Sequence, residues 1–276
     1  AASIKPSLTL EISAKAKKLK EEGSDGVSFG AGEPDFNTPE YICEAAKQAV
    51  DGGKTKYTPA SGTVSLKAAV CKKLKADNGL EYKPENIVIS NGAKHSLYNA
   101  IAALVEDGDE VIIPAPYWLT YPELVRLAGG VPVFVDTKAE NGFKITAEEL
   151  KSAITPRTVA IIFNNPNNPS GAVYSEDEVK AIAAVIENTS VMVISDEIYE
   201  MLDYTGIPTY SIAKYSDKLK AQTVVVNGVS KTYSMTGWRI GFIACDARLA
   251  SAISGMQSHM TSNPNTIAQY AAEAAY

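Results

Sequence analysis

Seven short runs of β-branched and aliphatic residues punctuate the chain: Ile87–Ile89, Val111–Ile113, Val131–Val135, Val159–Phe163, Val191–Ile194, Val224–Val226 and Ile240–Ala244. Runs this short and this continuous predict strands buried on both faces rather than half-exposed strands, which would alternate apolar and polar positions. Helical patterns lie between them. Leu97, Ile101 and Leu104 mark one apolar stripe. Thr146 with Glu149 and Ser175 with Glu178 have the spacing of capping boxes, and Asn78-Gly79 reads as a helix stop. Strands alternating with helices predict an α/β fold: a mostly parallel seven-stranded sheet with helices on both faces.

The first forty residues read differently. Leu8, Ile12, Ala16 and Leu19 form one helical stripe, residues 23–32 form a Gly-rich connection, and Thr38-Pro39-Glu40 begins a second helix with Pro in its first turn.

In a parallel sheet, ligands bind beyond the carboxyl ends of the strands. Several runs are followed there by residues that can do chemistry. Val224–Val226 leads to Ser230-Lys231, and Arg239 stands just before the last run. A lone loop lysine is ordinarily solvated. Desolvation and a neighbouring cation would instead lower its pKa and let it form a Schiff base with an aldehyde. Arg239 can be that cation, or clamp a phosphate in bidentate fashion. Asp196 ends an otherwise apolar strand, either as a helix cap or as counter-ion to a protonated ring nitrogen. Tyr199, three residues on, would share its face if the segment is helical. Asn168 lies in a turn-rich loop, Asn165 to Gly171. The stretch Asn91-Gly92-Ala93-Lys94 joins a strand to a helix N-terminus, a favourable place for a phosphate, although it matches neither GxGxxG nor a P-loop. Trp118 is either a core side chain or a platform for a planar ring.

Composition narrows the picture. In 276 residues the formal net charge is -6, which argues against nucleic acid or an anionic membrane as partner. The three cysteines have no CxxC spacing, so the expectation is a reducing, cytoplasmic setting with neither disulfide framework nor metal site. No apolar run is long enough to span a bilayer.

These residues together resemble the class I aminotransferases of fold type I, which use pyridoxal 5'-phosphate. The resemblance runs from Lys5 to the last residue and is carried by the order of several motifs: Gly30-Ala31-Gly32-Glu33-Pro34-Asp35-Phe36, Lys56-Tyr57-Thr58-Pro59, Pro116-Tyr117-Trp118, Asn167-Asn168-Pro169-Ser170-Gly171, Ser195-Asp196-Glu197-Ile198-Tyr199, and Ser230-Lys231 with Gly237-Trp238-Arg239-Ile240-Gly241. The nearest branch is that of bacterial aspartate and prephenate aminotransferases.

The resemblance implies roles. Lys231 would carry the cofactor as a Schiff base and shuttle the proton. Asp196 would pair with the ring nitrogen, Tyr199 and Asn168 would bind the ring oxygen, and Trp118 would stack on the ring. Ser230, Arg239 and the backbone of Gly92, Ala93 and Lys94 would hold the phosphate. Tyr57 would reach the phosphate in a neighbouring subunit, implying a homodimer with shared sites. Substrate would meet Gly32, Trp118, Asn168, Lys94 and Thr9, with Lys94 and Thr9 at its distal carboxylate. The implied reaction moves an amino group between L-aspartate and 2-oxoglutarate in two half-reactions. Alternatives are prephenate or another amino acid as substrate, a lyase of the same fold, and a non-catalytic cofactor-binding sensor domain. The implied division is an N-terminal arm with part of a small domain over 1–40 and a large cofactor-binding domain over 41–276, with the rest of the small domain absent.

Overall fold

The computed structural model describes residues 8–27, 30, 32–204, 206 and 208–276; the side chains of residues 8–10 fall outside this description, and with them the expectation for Thr9. Helix α1 (Leu8–Glu21) is followed by α2 (Glu40–Asp51) and α3 (Val64–Asn78). Strand β1 (Ile87–Ser90) leads into α4 (Ala93–Leu104), β2 (Glu110–Ala115) into α5 (Tyr121–Leu127), and β3 (Val131–Asp136) into α6 (Ala147–Ala153). Then come β4 (Thr158–Asn164), α7 (Glu176–Glu187), β5 (Met192–Asp196), α8 (Asp217–Ala221), β6 (Thr223–Gly228), β7 (Gly241–Ala244), α9 (Ala247–Met260) and α10 (Thr266–Ala275).

All seven apolar runs are strands of one sheet in the order β1-β7-β6-β5-β4-β2-β3. β2 to β6 pair in parallel, while β7 lies antiparallel between β1 and β6. The strands are apolar throughout because alternate side chains enter different cores. Val88, Val111, Ile113, Ala160, Ile162, Ile194, Val224, Val226 and Ile243 pack under α4, α5 and α9. On the other face, Ile87, Ile89, Val225, Phe242 and Ala244 meet α2, α3 and α10, while Ile112, Ile161, Phe163 and Val193 meet α6 and α7. β3 is the edge strand, and Val131 and Phe134 stay about half exposed there. Prolines sit where the ladder tolerates them: Pro132 on that edge, and Pro114 past the last β2–β4 pair, Ile112 with Ile161.

The helix signals translate into geometry. Thr146 and Ser175 accept from the backbone N–H of Glu149 and Glu178, and each Glu side chain reaches back to its cap. Gly79 ends α3 at φ 67°. The start of α2 differs by one position: Pro39 is the N-cap, at ψ 142°. Thr38 is thereby freed, and its hydroxyl donates to Ser234 O at 2.7 Å and accepts from Trp238 Nε1 at 3.1 Å. This ties the 33–39 segment to the loop after Lys231. The α1 stripe, in contrast, is left open; Ile12 and Leu19 are each 45 % exposed.

Candidate active site

Six chain segments converge at one end of the sheet around a cavity of about 790 Å³. The parallel strands deliver residues that follow them: Ala93 and Lys94 after β1, Trp118 after β2, Asn168 after β4, Asp196 at the end of β5, and Ser230 and Lys231 after β6. Arg239 precedes β7 because that strand alone runs the other way, so its start lies at the same end.

Asp196 is 3 % exposed. Its Oδ2 accepts from the Tyr121 hydroxyl at 2.7 Å and its Oδ1 from the Ile198 N–H at 3.2 Å. Burial raises its pKa from 3.8 to about 6 against the lowering by these two bonds. Among the described residues no cation pairs with this carboxylate. Tyr199 lies on a hydrogen-bonded turn rather than a helix, with the Leu202 N–H donating to Tyr199 O at 2.8 Å. The turn still brings its phenol to the cavity, where it accepts from Asn168 Nδ2 at 3.2 Å. Asn168 is held in turn by its N–H donating to Asn164 Oδ1 at 2.8 Å, and Asn164 Nδ2 donates to Asp196 O at 2.9 Å. The loop after β4 is thus pinned to the end of β5.

Lys231 donates to Gly32 O and its Nζ lies 5.7 Å from the Tyr199 ring centroid. Burial lowers its pKa; Arg239 lowers it further and Glu33 opposes both. Arg239 adopts a left-handed backbone, φ 58°, and donates to Thr236 O at 2.9 Å and Asn91 O at 3.2 Å. Its guanidinium lies against Gly92, where a Cβ would fall 2.1 Å from Nη2. Gly241 has the same logic: a Cβ there would strike the backbone of Gly92 and Ala93. These two glycines let the arginine and β7 pack against the N-terminus of α4, where free N–H groups and a cation favour an anion. Lys94 stands over the Trp118 ring at 4.9 Å, its pKa lowered by burial and then by Arg239.

Three side chains matter here that the pattern along the chain does not reveal. Tyr121 donates to Asp196 and meets Trp118 edge-on at 5.4 Å between centroids. Thr236 donates to Glu33, joining the 33–39 segment to the loop that carries Arg239. Glu33 in turn sets part of the field at Lys231. Their spacing in sequence carries no signal; Tyr121 comes close through α5, and the other two through a contact spanning 203 positions. Tyr57 is the expected residue that is not brought to this cavity: it is 90 % exposed and borders a separate cleft with Lys56 and Asn263. Among the described residues no cluster of acidic, His or Cys side chains could hold a metal ion.

A half-buried lysine of lowered pKa, a buried carboxylate lacking a cation, a phenol and an amide on one wall, and an arginine at a helix N-terminus are the groups that a pyridoxal-phosphate site calls for. The residues fit that cofactor: Asp196 lacks the positive charge that a protonated ring nitrogen supplies, and the Gly92–Arg239 cradle suits a phosphate. The chain belongs to the class I and II aminotransferases, whose family model matches residues 24–276. It is 54 % identical over 275 residues to the aspartate aminotransferase of Geobacillus stearothermophilus, covering 100 % of this chain and 70 % of that protein. It is 50 % identical to the aspartate/prephenate aminotransferase of Nitrosomonas europaea, over 99 % of this chain and 69 % of that one. Among solved structures, the Thermus thermophilus aspartate aminotransferase with maleate superposes with a TM-score of 0.96 at 43 % identity, over 99 % of this chain and 71 % of that one. The protein is therefore a pyridoxal-phosphate-dependent aminotransferase.

Proposed function

We propose that the protein moves an amino group between L-aspartate and 2-oxoglutarate, with Lys231, Asp196 and Tyr199 as its catalytic residues. The observation that carries this reading is that Lys231 Nζ, the Tyr199 phenol and the Asp196 carboxylate line one cavity with Lys94 and Arg239. Pyridoxal phosphate supplies an aldehyde carbon and, with its ring nitrogen protonated, a sink for the electron pair left when a Cα–H bond breaks. Lys231 provides the amine that holds the aldehyde between turnovers. With the substrate amine in its place, Lys231 Nζ would be free to take the Cα proton and hold it for return; the lowered pKa leaves more of the amine neutral for that task. Asp196 would keep the ring nitrogen protonated, and Tyr199 with Asn168 would donate to the ring oxygen. Trp118 would cover the ring, while Arg239, Ser230 and the backbone of Gly92, Ala93 and Lys94 would hold the phosphate. The release of one oxo acid before the next binds gives ping-pong kinetics.

A dicarboxylate substrate is supported by the half-buried ammonium of Lys94 beside Trp118, placed to meet a distal carboxylate. Gly32 O sits within reach of Lys231, so this backbone borders the substrate's α-carboxylate end. The maleate in the Thermus thermophilus structure is likewise a four-carbon dicarboxylate. Prephenate is the second reading, favoured by the Nitrosomonas europaea relative's dual name. A homodimer in which Tyr57 completes the neighbouring site is supported by the exposure of Tyr57 outside its own chain's cavity. The open apolar stripe of α1 supports a division in which residues 1–40 belong with a smaller domain and 41–276 form the large one. No helix among the described residues is long and apolar enough to cross a membrane. The free thiols of Cys43, Cys71 and Cys245 support a reducing, cytoplasmic setting.

The test is spectroscopic. The protein mixed with pyridoxal phosphate develops a yellow band, absent in Lys231→Ala. Aspartate added without an oxo acid replaces the yellow band by the near-ultraviolet band of pyridoxamine phosphate. A yellow band that aspartate leaves untouched overturns the substrate; no band in the wild type overturns the assignment of Lys231.

A further inference from the structure

Below the cavity lies a buried polar cluster that the reaction does not use. Glu200, one residue after Tyr199, is 9 % exposed and accepts from three directions. Lys73 of α3 donates to its Oε1, Asn227 Nδ2 of β6 donates to the same oxygen at 2.7 Å, and Asn78 Nδ2 donates to Oε2 at 2.7 Å. Lys73 is itself buried, 8 % exposed, and also lies 3.8 Å from Asp77. On the other side of Tyr199, Glu197 accepts from Ser195 at 2.9 Å and Ser211 at 2.6 Å, and its N–H donates to Val226 O at 2.9 Å. Buried carboxylates are tolerated only when hydrogen-bonded or paired, so this density of bonds specifies one arrangement of the turn.

The connections join the two halves of the cavity. Glu200 sits on the turn that carries Asp196 and Tyr199; Asn227 sits four residues before Lys231, on the strand that delivers it. We infer that Glu200, clamped by Lys73 and Asn227, is a positioning residue that sets the separation between the Tyr199 phenol and Lys231. The charges facing Glu200 are Lys73, Asp77 and Glu197, with Tyr233 and Tyr276 also in its field. The inference rests on the proposed roles of Tyr199 and Lys231, since only a cofactor held between them reads their separation.

The experiment follows the pH titration of the visible band in cofactor-loaded wild type, Glu200→Gln, Lys73→Met and Lys73→Arg, with Glu110→Gln as a control. Glu110 accepts from Arg157 and Thr155 at the opposite end of β2 from the cavity, so its loss perturbs stability and not the site. Expected are a shift of the titration midpoint by about half a unit in Glu200→Gln and Lys73→Met, and a fall in kcat of about tenfold with KM for aspartate changed less than about twofold. Lys73→Arg keeps the charge and restores most of both. Should the midpoint and kcat of the Glu200 and Lys73 variants stay at wild-type values while only the melting temperature falls, as in Glu110→Gln, the inference is overturned. If Glu200→Gln does not fold, Lys73→Met against Lys73→Arg decides alone. A wild type without any visible band refutes the function reading instead, so the two failures are distinguishable.

Discussion

The hydroxyl of Tyr121 donates to the Asp196 carboxylate at 2.7 Å, from a helix that begins 75 residues earlier in the chain. It is one of two bonds that hold the buried acid's pKa down to about 6 rather than higher. A hydrogen bond to an ionised group contributes about 1.5–3 kcal/mol, equivalent to one to two pKa units. Tyr121→Phe should therefore raise the Asp196 pKa and weaken its hold on a protonated ring nitrogen. The expected outcome is a pyridoxal phosphate Kd raised about tenfold at pH 7, measured by equilibrium dialysis. An unchanged Kd would show that the bond has no part in cofactor binding.

Asp196 also links stability to pH. Its folded pKa, about 6, lies above the unfolded 3.8. The fold binds a proton that the unfolded chain releases, so this group stabilises below the unfolded value and its contribution is lost as pH rises through about 6. Two units correspond to about 3 kcal/mol as an upper figure. Without cofactor, Asp196→Asn should remove this part of the decline between pH 4 and 6, giving a smaller loss of denaturant midpoint than the wild type shows. Glu197, raised to about 7 by burial and by Glu200, keeps a residual slope in both proteins. Parallel stability curves for the two proteins over that range would refute the linkage.

The scaffold was legible because its cause is local. A strand whose alternate side chains enter two cores has to be apolar throughout, so all seven runs stand out, and residues closing those runs fall at one end of a parallel sheet. Lys231, Asp196, Asn168 and Trp118 were accessible by that route. What the chain hides is whatever depends on tertiary direction. Lys73 sits among Lys72 and Lys75 and looks like a solvated helix face; only the facing of α3 toward the turn after β5 buries it on Glu200. Thr38 reads as a helix start, whereas the backbone caps the helix at Pro39 and turns the threonine to Trp238. The antiparallel sense of β7, which carries Arg239 to the right end, follows from the irregular return over residues 229–240, which no periodicity marks.

Gly92 tests the cradle. Its φ of 85° is strained for any L-residue, and an added methyl would overlap the Arg239 guanidinium. Since the obstacle is the end of a flexible side chain, Gly92→Ala should fold, with Arg239 displaced. Stability should fall by about 1–3 kcal/mol, and affinity for pyridoxal phosphate should drop further than affinity for pyridoxal, which lacks the phosphate. Gly241→Ala meets backbone atoms of Gly92 and Ala93 instead and should lower the melting temperature more. Equal losses of affinity for the two aldehydes in Gly92→Ala would dissociate the cradle from phosphate binding.

Glu33 and Lys231 supply the last test. Burial and Arg239 both favour the neutral amine of Lys231, and Glu33 works against them by favouring the ammonium form. Glu33→Gln removes that opposition, so the Lys231 pKa should fall further. More of the amine is then free at neutral pH, and cofactor-free protein should react faster with pyridoxal phosphate at pH 7, while rates at pH above the Lys231 pKa converge with the wild type. The rate of appearance of the visible band against pH measures this directly. Glu33 also accepts from Thr236, so loss of this contact could loosen the loop around Arg239. Thr236→Val separates the two effects: it removes the hydrogen bond and leaves the charge. A rate profile shifted to lower pH in Glu33→Gln but not in Thr236→Val assigns the effect to the carboxylate. Equal shifts in both assign it to the loop and refute the electrostatic account.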